Sequence, residues 1–243
     1  MERGLYSAAT GMSTAIQWLD VVSHNLANVS TTGYKRDVVG FNEGLDRLMN
    51  ADGGQGAQIG TLGSGPTERT KYTVFQQGAI NATGNRTDRA LGKPQGMFAV
   101  QGADGIKYTR DGAFTQDSQG FLVTQTGEKL LDRANNPIQL KPGEFSVGPE
   151  GDITQQGVKV ADIAVYDGAF TKAGDSLYTS TNATLMDASQ VDVRQGAIEQ
   201  SNVNAIEEMV AMIKLNRAFE MAQKSATSQD ETSGRLIQAL QNQ

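Results

Sequence analysis

The residues able to do chemistry are few, and their spacing argues against catalysis. The 243-residue chain holds one histidine, His24, directly after Ser23. A Ser-His pair works only when hydroxyl and imidazole face each other, whereas adjacent residues of a helix point in different directions. One imidazole and no cysteine also leave no His-rich or thiolate metal site. His24 therefore reads as a helix-surface or packing residue with no carboxylate opposite it. Gly54-Gln55-Gly56 and Gly63-Ser64-Gly65 lack the preceding strand, the G-x-G-x-x-G spacing and the following helix of a dinucleotide loop. Gly92-Lys93 runs into Pro94 rather than Ser or Thr, which excludes a P-loop. Asp104, Asp111 and Asp117 stand before or near glycines in hairpin turns, where Asp bonds the local backbone. None of these stretches has the alternating oxygen ligands and distal Glu of a calcium loop. A paired-carboxylate hydrolase depends on separation in space and stays open as an alternative. The expectation is a protein that is not an enzyme and takes no cofactor or metal.

Charge and composition narrow the classes further. The net charge of −6, with 21 Lys and Arg spread along the chain, gives no basic face for nucleic acid. At 38% hydrophobic residues at least one modest core is affordable. No apolar run approaches the roughly 20 residues of a membrane span, so the chain is not expected to be membrane-inserted. The start lacks a basic region followed by an apolar one, so no cleavable signal peptide is expected.

The elements that must position any site are written most strongly at the two ends. Leu5, Ala8, Met12, Ala15, Leu19, Val22 and Leu26 recur at 3-4 spacing, the seam of a helix meant for another helix. Ile16 and Trp18 flank that seam. Burying its five larger side chains yields on the order of 10 kcal/mol, against about 1–2 kcal/mol of ordering cost for each of about 25 residues. Gly4 and Gly11 weaken the helix further, so it is expected to be largely unfolded until a partner arrives. Thr31-Thr32-Gly33 is read as ending it. At the other end, Asn204 with Glu207 forms a near capping box. Beyond it Met209, Met212, Asn216, Phe219, Gln223 and Ala226 repeat at 3-4 spacing, with Ile206, Val210 and Ile213 widening the face and Ile237 and Leu240 resuming it. Asn216 and Gln223 are then polar residues inside the seam, costing stability and fixing register.

Between the ends the pattern changes. Val38, Phe41, Leu45 and Leu48 fit a short helix or an extended arm, and the glycine-dense run from Asp52 to Pro66 reads as a linker. Beyond it short β segments follow: Met97–Val100 and Ile106–Thr109 across Asp104-Gly105, then Ala113–Thr115, Phe121–Val123, Phe145–Val147 and Val158–Tyr166, whose alternation slips near Asp162. This spacing suggests a compact antiparallel sandwich or barrel.

Three blocks of sequence together resemble one family. The run from Leu19 through Asn25, Asn28, Thr31, Thr32, Gly33 and Tyr34 to Arg36 resembles the N-terminal signature of the bacterial flagellar basal-body rod and hook family. Gln195–Asn204, followed by Glu207-Glu208-Met209-Val210 and Arg217-Ala218-Phe219-Glu220, resembles its C-terminal signature. Gly96–Val100 through Tyr108-Thr109-Arg110-Asp111-Gly112-Ala113-Phe114 is similar to its middle. Within that family Arg217–Met221 and Leu62–Gly65 lean toward the proximal-rod members, while the N-terminus is equally like the distal-rod ones.

The resemblance implies a structural subunit of the periplasmic rod of the flagellar basal body, exported by the flagellar type III apparatus. Its implied partners are copies of itself and other axial rod and hook proteins. The expected fold is mixed α and β: terminal helices from residues 1–36 and 197–243 forming a coiled-coil core layer, a glycine-rich arm over 37–70 and a central antiparallel β domain over 71–196. The residues expected to carry subunit assembly are Leu5, Met12, Leu19, Val22, Asn25, Leu26, Asn28, Gly33 and Tyr34, with Ile206, Met209, Met212, Asn216 and Phe219. Asn25, Asn28 and Tyr34 are open to two readings, an ordinary helix C-cap or a bridge to neighbours with Tyr34 anchoring the emerging chain. The alternative functions are a rod-associated cell-wall hydrolase and a monomeric exported binding module.

Overall fold

Hydrophobic periodicity sorts the chain into helices at its ends and antiparallel β-structure between them. The computed structural model describes residues 2–42, 47–50, 58–62, 68–102 and 104–241. They fall into two compact units: Met1–Ala27, Asp37–Tyr72 and Asn204–Gln243 in one, Asn28–Arg36 and Thr73–Val203 in the other. This division differs from the expected boundaries at 36 and 197, because residues 28–36 and 197–203 belong with the β-structure.

The first unit is built on helix α1 (Glu2–Ala27) and helix α2 (Ala205–Gln241). α2 starts as its sequence predicts: Asn204 Oδ1 accepts the backbone N–H of Ile206 at 3.1 Å, and Asn204 Nδ2 donates to Glu207 Oε1 at 3.1 Å. Glu207 and Glu208 add negative charge at the positive end of the helix dipole. α1 and α2 lie antiparallel against each other. A methyl placed on Gly11 would meet Ala222 Cβ at 4.0 Å, and Asn25 Nδ2 reaches Glu208 Oε1 at 3.3 Å. Fourteen residues separate these two contacts on either helix. With 37 residues α2 is about 55 Å long, against about 39 Å for the 26 residues of α1.

The buried residues of α1 are Ala8, Ala15, Val21, Val22 and Asn25, with Met12, Leu19 and Leu26 half-buried; the side chain of Leu5 lies outside the described residues. On α2 the covered stripe is Glu208, Ala211, Met212, Leu215, Phe219, Ala222 and Ala226. It is turned from the expected seam by one position, so Asn216 and Gln223 are exposed rather than enclosed. Leu215 and Ala222 take their places, which removes the cost of burying two amides.

Asp37–Asn42 and Arg47–Asn50, where a helix or an arm was expected, are strands. Asp37–Asn42 pairs with Glu68–Thr73. Within the stretch read as linker, Gln58–Leu62 forms a strand antiparallel to Arg47–Asn50. Leu45 and the glycines at 53, 54, 56, 63 and 65 lie outside the described residues.

The second unit centres on the strand Met97–Gly102. It pairs antiparallel with Gly105–Thr109, Lys129–Leu130 and Val165–Asp167, and the ladder extends to a nine-stranded sheet. Phe98 and Val100 enter one apolar cluster with Phe114, Leu122, Leu130 and Ile163. Met97 and Ala99 enter a second with Tyr108, Leu131 and Tyr178. A strand buried on both faces reads as a continuous apolar run, which Met97-Phe98-Ala99-Val100 is. Phe145–Val147, Asp152–Gln155 and Val158–Asp162 form a separate three-stranded sheet. Its register shifts where Ile153 faces Ala161 and Thr154 faces Lys159, so the irregularity falls at Val160 rather than Asp162.

Replacing Gly11 by alanine is expected to stabilise the helix pair by up to about 1 kcal/mol, since alanine has the higher helix propensity and its methyl finds an ordinary contact distance at Ala222. Denaturant unfolding followed by helical circular dichroism checks this; a lower midpoint would mean that the helices are closer than 4.0 Å implies.

Candidate functional site

α1 ends at Ala27, six residues before Gly33, so Gly33 does not cap it. The nine residues that follow cross the β unit as a strap held at nearly every position. Gly33 N–H donates to the Glu199 carbonyl at 2.8 Å, the Asn202 N–H to the Tyr34 carbonyl at 3.3 Å, and the Val74 N–H to the Arg36 carbonyl at 2.9 Å. Asn202 supplies the complement: its Oδ1 accepts from Arg36 N–H at 2.7 Å, and its Nδ2 donates to the carbonyls of Val74 and Gln76 at 2.9 Å each. Thr32 Oγ1 donates to Asp111. Lys172 Nζ lies 4.0 Å over the Tyr34 ring and donates to the Lys35 carbonyl.

At the centre is a buried ionic knot. Glu199 Oε1 accepts from Lys35 Nζ at 2.6 Å and from the Gly78 N–H at 2.9 Å, while Oε2 accepts from Arg110 Nε at 2.6 Å. All three charged side chains are 1% exposed. The other N–H groups of Arg110 go to the carbonyls of Leu91, Lys93, Gln95 and Gly96. The loop around Gly92-Lys93-Pro94 thus turns carbonyls inward at a cation, the opposite polarity to a phosphate cradle. Lys35 Nζ also donates to the Gln76 carbonyl at 2.8 Å.

Two cations and one carboxylate leave the knot one positive charge in excess. Burial lowers the Lys35 pKa below the usual lysine value; attraction to Glu199 opposes that, and Arg110 adds to it. A second buried guanidinium, Arg89, sits 5.2 Å from the Phe145 ring, and burial pulls its pKa down to about 10. Beside the knot a cleft of about 230 Å³ is lined by Lys35, Phe75, Met97, Arg110 and Phe170 among others.

Backbone fit is as strict as charge. Gly33 has φ +65°, and a Cβ there would stand 2.4 Å from the backbone of Arg110 and Asp111. A Cβ on Gly78 would stand 2.0 Å from the Gln200 carbonyl oxygen.

The other expected site residues are distributed as follows. Asn25 is buried in the helical unit, where its side chain pairs with the backbone of Asp37: Nδ2 donates to the carbonyl at 2.8 Å and Oδ1 accepts from the N–H at 2.9 Å. Asn28 Oδ1 accepts from Thr31 Oγ1. Tyr34 is buried beneath Lys172. Met212 and Phe219 are half-buried, Asn216 is exposed, and Ile206 and Met209 are 69% and 46% exposed. His24 does have a carboxylate near it, Asp20 Oδ1 at 3.7 Å one helical turn away, which the sequence reading did not place. Both side chains are more than 60% exposed, and such a pair contributes little. Asp111 and Asp117 accept N–H groups of Ala113, and of Gln119 and Phe121, as turn residues do.

Lys35, Arg110, Glu199 and Asn202 carry the knot, and sequence reasoning assigned them no role. The available signal was their position: Lys35, Arg110 and Glu199 each lie in a different one of the three signature blocks, and Asn202 lies in the same run as Glu199, two residues from its end.

Gly33→Ala is expected to destabilise the β unit by at least 2 kcal/mol, because left-handed strain and a backbone overlap both oppose it; a shift in chemical-denaturation midpoint measures it. Lys35 gives a pH dependence. With its folded pKa lowered, the unfolded chain binds more protons between that value and 10.5, so stability rises with pH across that window. Lys35→Met should flatten the alkaline rise relative to the unsubstituted chain; equal slopes would refute the assignment.

Family comparisons match the three blocks. Residues 5–35 match the model "Flagella basal body rod protein", residues 93–155 the model "Flagellar hook protein FlgE/F/G D1 domain", and residues 194–239 the model "Flagellar basal body rod FlgEFG protein C-terminal". The chain is 32% identical to the flagellar basal-body rod protein FlgF of Caulobacter vibrioides, across 99% of this chain and 98% of that one. It is 35% identical to FlgF of Rhizobium meliloti over 90% of each chain, and 31% identical to FlgG of Bacillus subtilis over 98% of each. Relatives of both names match at similar identity, so identity does not separate the two subtypes. With end-to-end similarity at this level, and all three blocks converging on one buried knot, the chain belongs to the flagellar basal-body rod protein family and is a structural subunit of the rod.

Proposed function

We propose that the chain polymerises through its terminal helices into the axial shaft that carries torque from motor to hook. In this reading α1 and α2 contribute to an inner coiled-coil layer, the β unit stiffens the shaft, and no catalysis is involved. The neighbours are copies of itself and other flagellar axial proteins. It reaches the periplasm through the flagellar type III apparatus. No helix among the described residues is long and apolar enough to cross a membrane.

The observation that carries the reading is an apolar stripe that α1 leaves uncovered. On α2, Ile206, Met209, Val210 and Ile213 follow i, i+3, i+4, i+7 and are 45–69% exposed. On α1, Tyr6, Ile16 and Trp18 are exposed as well. Enclosing what the four α2 side chains still expose yields on the order of 3–6 kcal/mol per subunit before association costs, a driving force for contacts between subunits. Met212 and Phe219 serve the contact within the chain, and Ile206 and Met209 the contact between chains. Leu5, Met12, Leu19, Val22 and Leu26 belong to the inner layer, and Asn25, Asn28, Gly33 and Tyr34 to the exit from it.

Replacing Ile206 and Ile213 together by aspartate should leave the helical circular dichroism of the dilute full-length chain within error and abolish both sedimenting polymer and motility. Polymer formation at the original concentration would sink the reading.

A further inference from the structure

Arg110 and Arg89 are both buried, and the chain satisfies only the first. Arg110 places its N–H groups on Glu199 and on the carbonyls of Leu91, Lys93, Gln95 and Gly96. Arg89 is 0% exposed and donates through Nη1 alone, to the carbonyls of Arg86 and Asp88. Among the described residues its Nε and Nη2 have no acceptor. The acids nearest to it in sequence and space are engaged elsewhere. Asp88 accepts from Thr83 Oγ1 at 2.6 Å and from Asn85 Nδ2 at 3.0 Å, and Glu144 pairs with Arg86 at 2.6 Å. Across the ladder from Arg89, Gln195 gives its Oε1 to the Val147 N–H and its Nε2 to the carbonyls of Arg86 and Phe145. The Phe145 ring, 5.2 Å away, offsets part of the charge.

A buried N–H without an acceptor costs about 1–3 kcal/mol, and more on a charged group. The N–H of Nε and the adjacent N–H of Nη2 leave one edge of the guanidinium in parallel, the fork that takes two oxygens of a single planar anion. Water would satisfy those donors and leave the buried charge uncompensated. We propose that the Nε–Nη2 edge of Arg89 is a binding site for a small planar oxyanion of the formate, bicarbonate or nitrate type, held as a structural ligand of the β unit. Because Arg89 is 0% exposed, a side-chain carboxylate of another protein does not reach this edge, and the occupant is a free ion. The site lies where the strand Arg89–Leu91, its partner Val193–Gln195 and Phe145 of the three-stranded sheet meet, so the anion ties the two sheets together through one neutralised cation. The inference rests on the β unit alone and holds whether or not the helices polymerise.

The test follows the arginine Nε–H signals of the full-length, nitrogen-15-labelled chain by NMR while sodium chloride is exchanged for sodium formate at constant ionic strength. Expected is a saturable shift of the Arg89 Nε–H, assigned through its own side-chain bonds, with the Arg110 Nε–H, already bonded to Glu199, staying in place. At formate about ten times above the dissociation constant the thermal midpoint should stand roughly 3–6 °C higher than in chloride. Arg89→Lys, which keeps the charge and removes the fork, should lose that rise. An Arg89 signal that does not move means that water satisfies the edge, and it overturns the proposal. So does a shift without saturation, or a formate-dependent rise retained by Arg89→Lys. Should that variant not fold, the titration of the unsubstituted chain decides alone.

Discussion

A carboxylate held out of water between two cations is expensive to assemble and more expensive to break. That asymmetry governs the β unit of this rod protein. Glu199 arrives from the C-terminal side of the chain, Lys35 from the N-terminal side and Arg110 from the middle, and each is 1% exposed. None of the three is tolerable in that position alone, so the segments that carry them must be present together. Asn202 repeats the logic with neutral groups: one amide satisfies Arg36, Val74 and Gln76 at once. The strap behaves as a part of the β unit although it follows directly from a helix.

The helical unit obeys a different economy. Its buried stripe on α1 is made of Ala8, Ala15, Val21, Val22 and Asn25, small side chains with little area to hide. Long residues with more area, Ile206, Met209, Val210 and Ile213, face outward on α2. A monomer designed for solitary stability would place them the other way round. Asn25 is the polar exception inside, and both ends of its amide are occupied by the Asp37 backbone, which is what makes a buried amide bearable.

The ends of the chain were legible because helical periodicity is long-range within one element: Asn204, Glu207 and the apolar repeat place α2 from sequence alone. The face of α2 was not, because a stripe wide enough to include Ile206, Met209 and Phe219 serves two partners, and the wheel does not say which side each takes. Hairpins with Asp104-Gly105 or Phe145–Val147 were visible through turn chemistry and alternation. Two-residue strands such as Lys129–Leu130 and Thr184–Leu185 carry too little pattern to read. The knot was invisible for a further reason. Its charges are 35, 110 and 199 in the chain, and an ordinary prior sends Lys, Arg and Glu to the surface; only the fold reveals that they meet.

Connectivity joins the two economies. Pairing α1 with α2 in a chain without the β unit would require closing a loop of roughly 180 residues, an entropy cost on the order of 5 kcal/mol. The thin apolar contact of α1 has no such margin. Because the strap and the return strand are tied at Tyr34 and Asn202, that closure is made inside the β unit, where the core around Phe98 and Val100 offsets it. The segment that follows α1 and the segment that precedes α2 are then tied to each other within the β unit, and the exposed face of α2 is left free of any duty to hold the monomer together. A subunit built this way can leave its most apolar helix face unsatisfied and still fold, which is the condition a polymerising subunit has to meet.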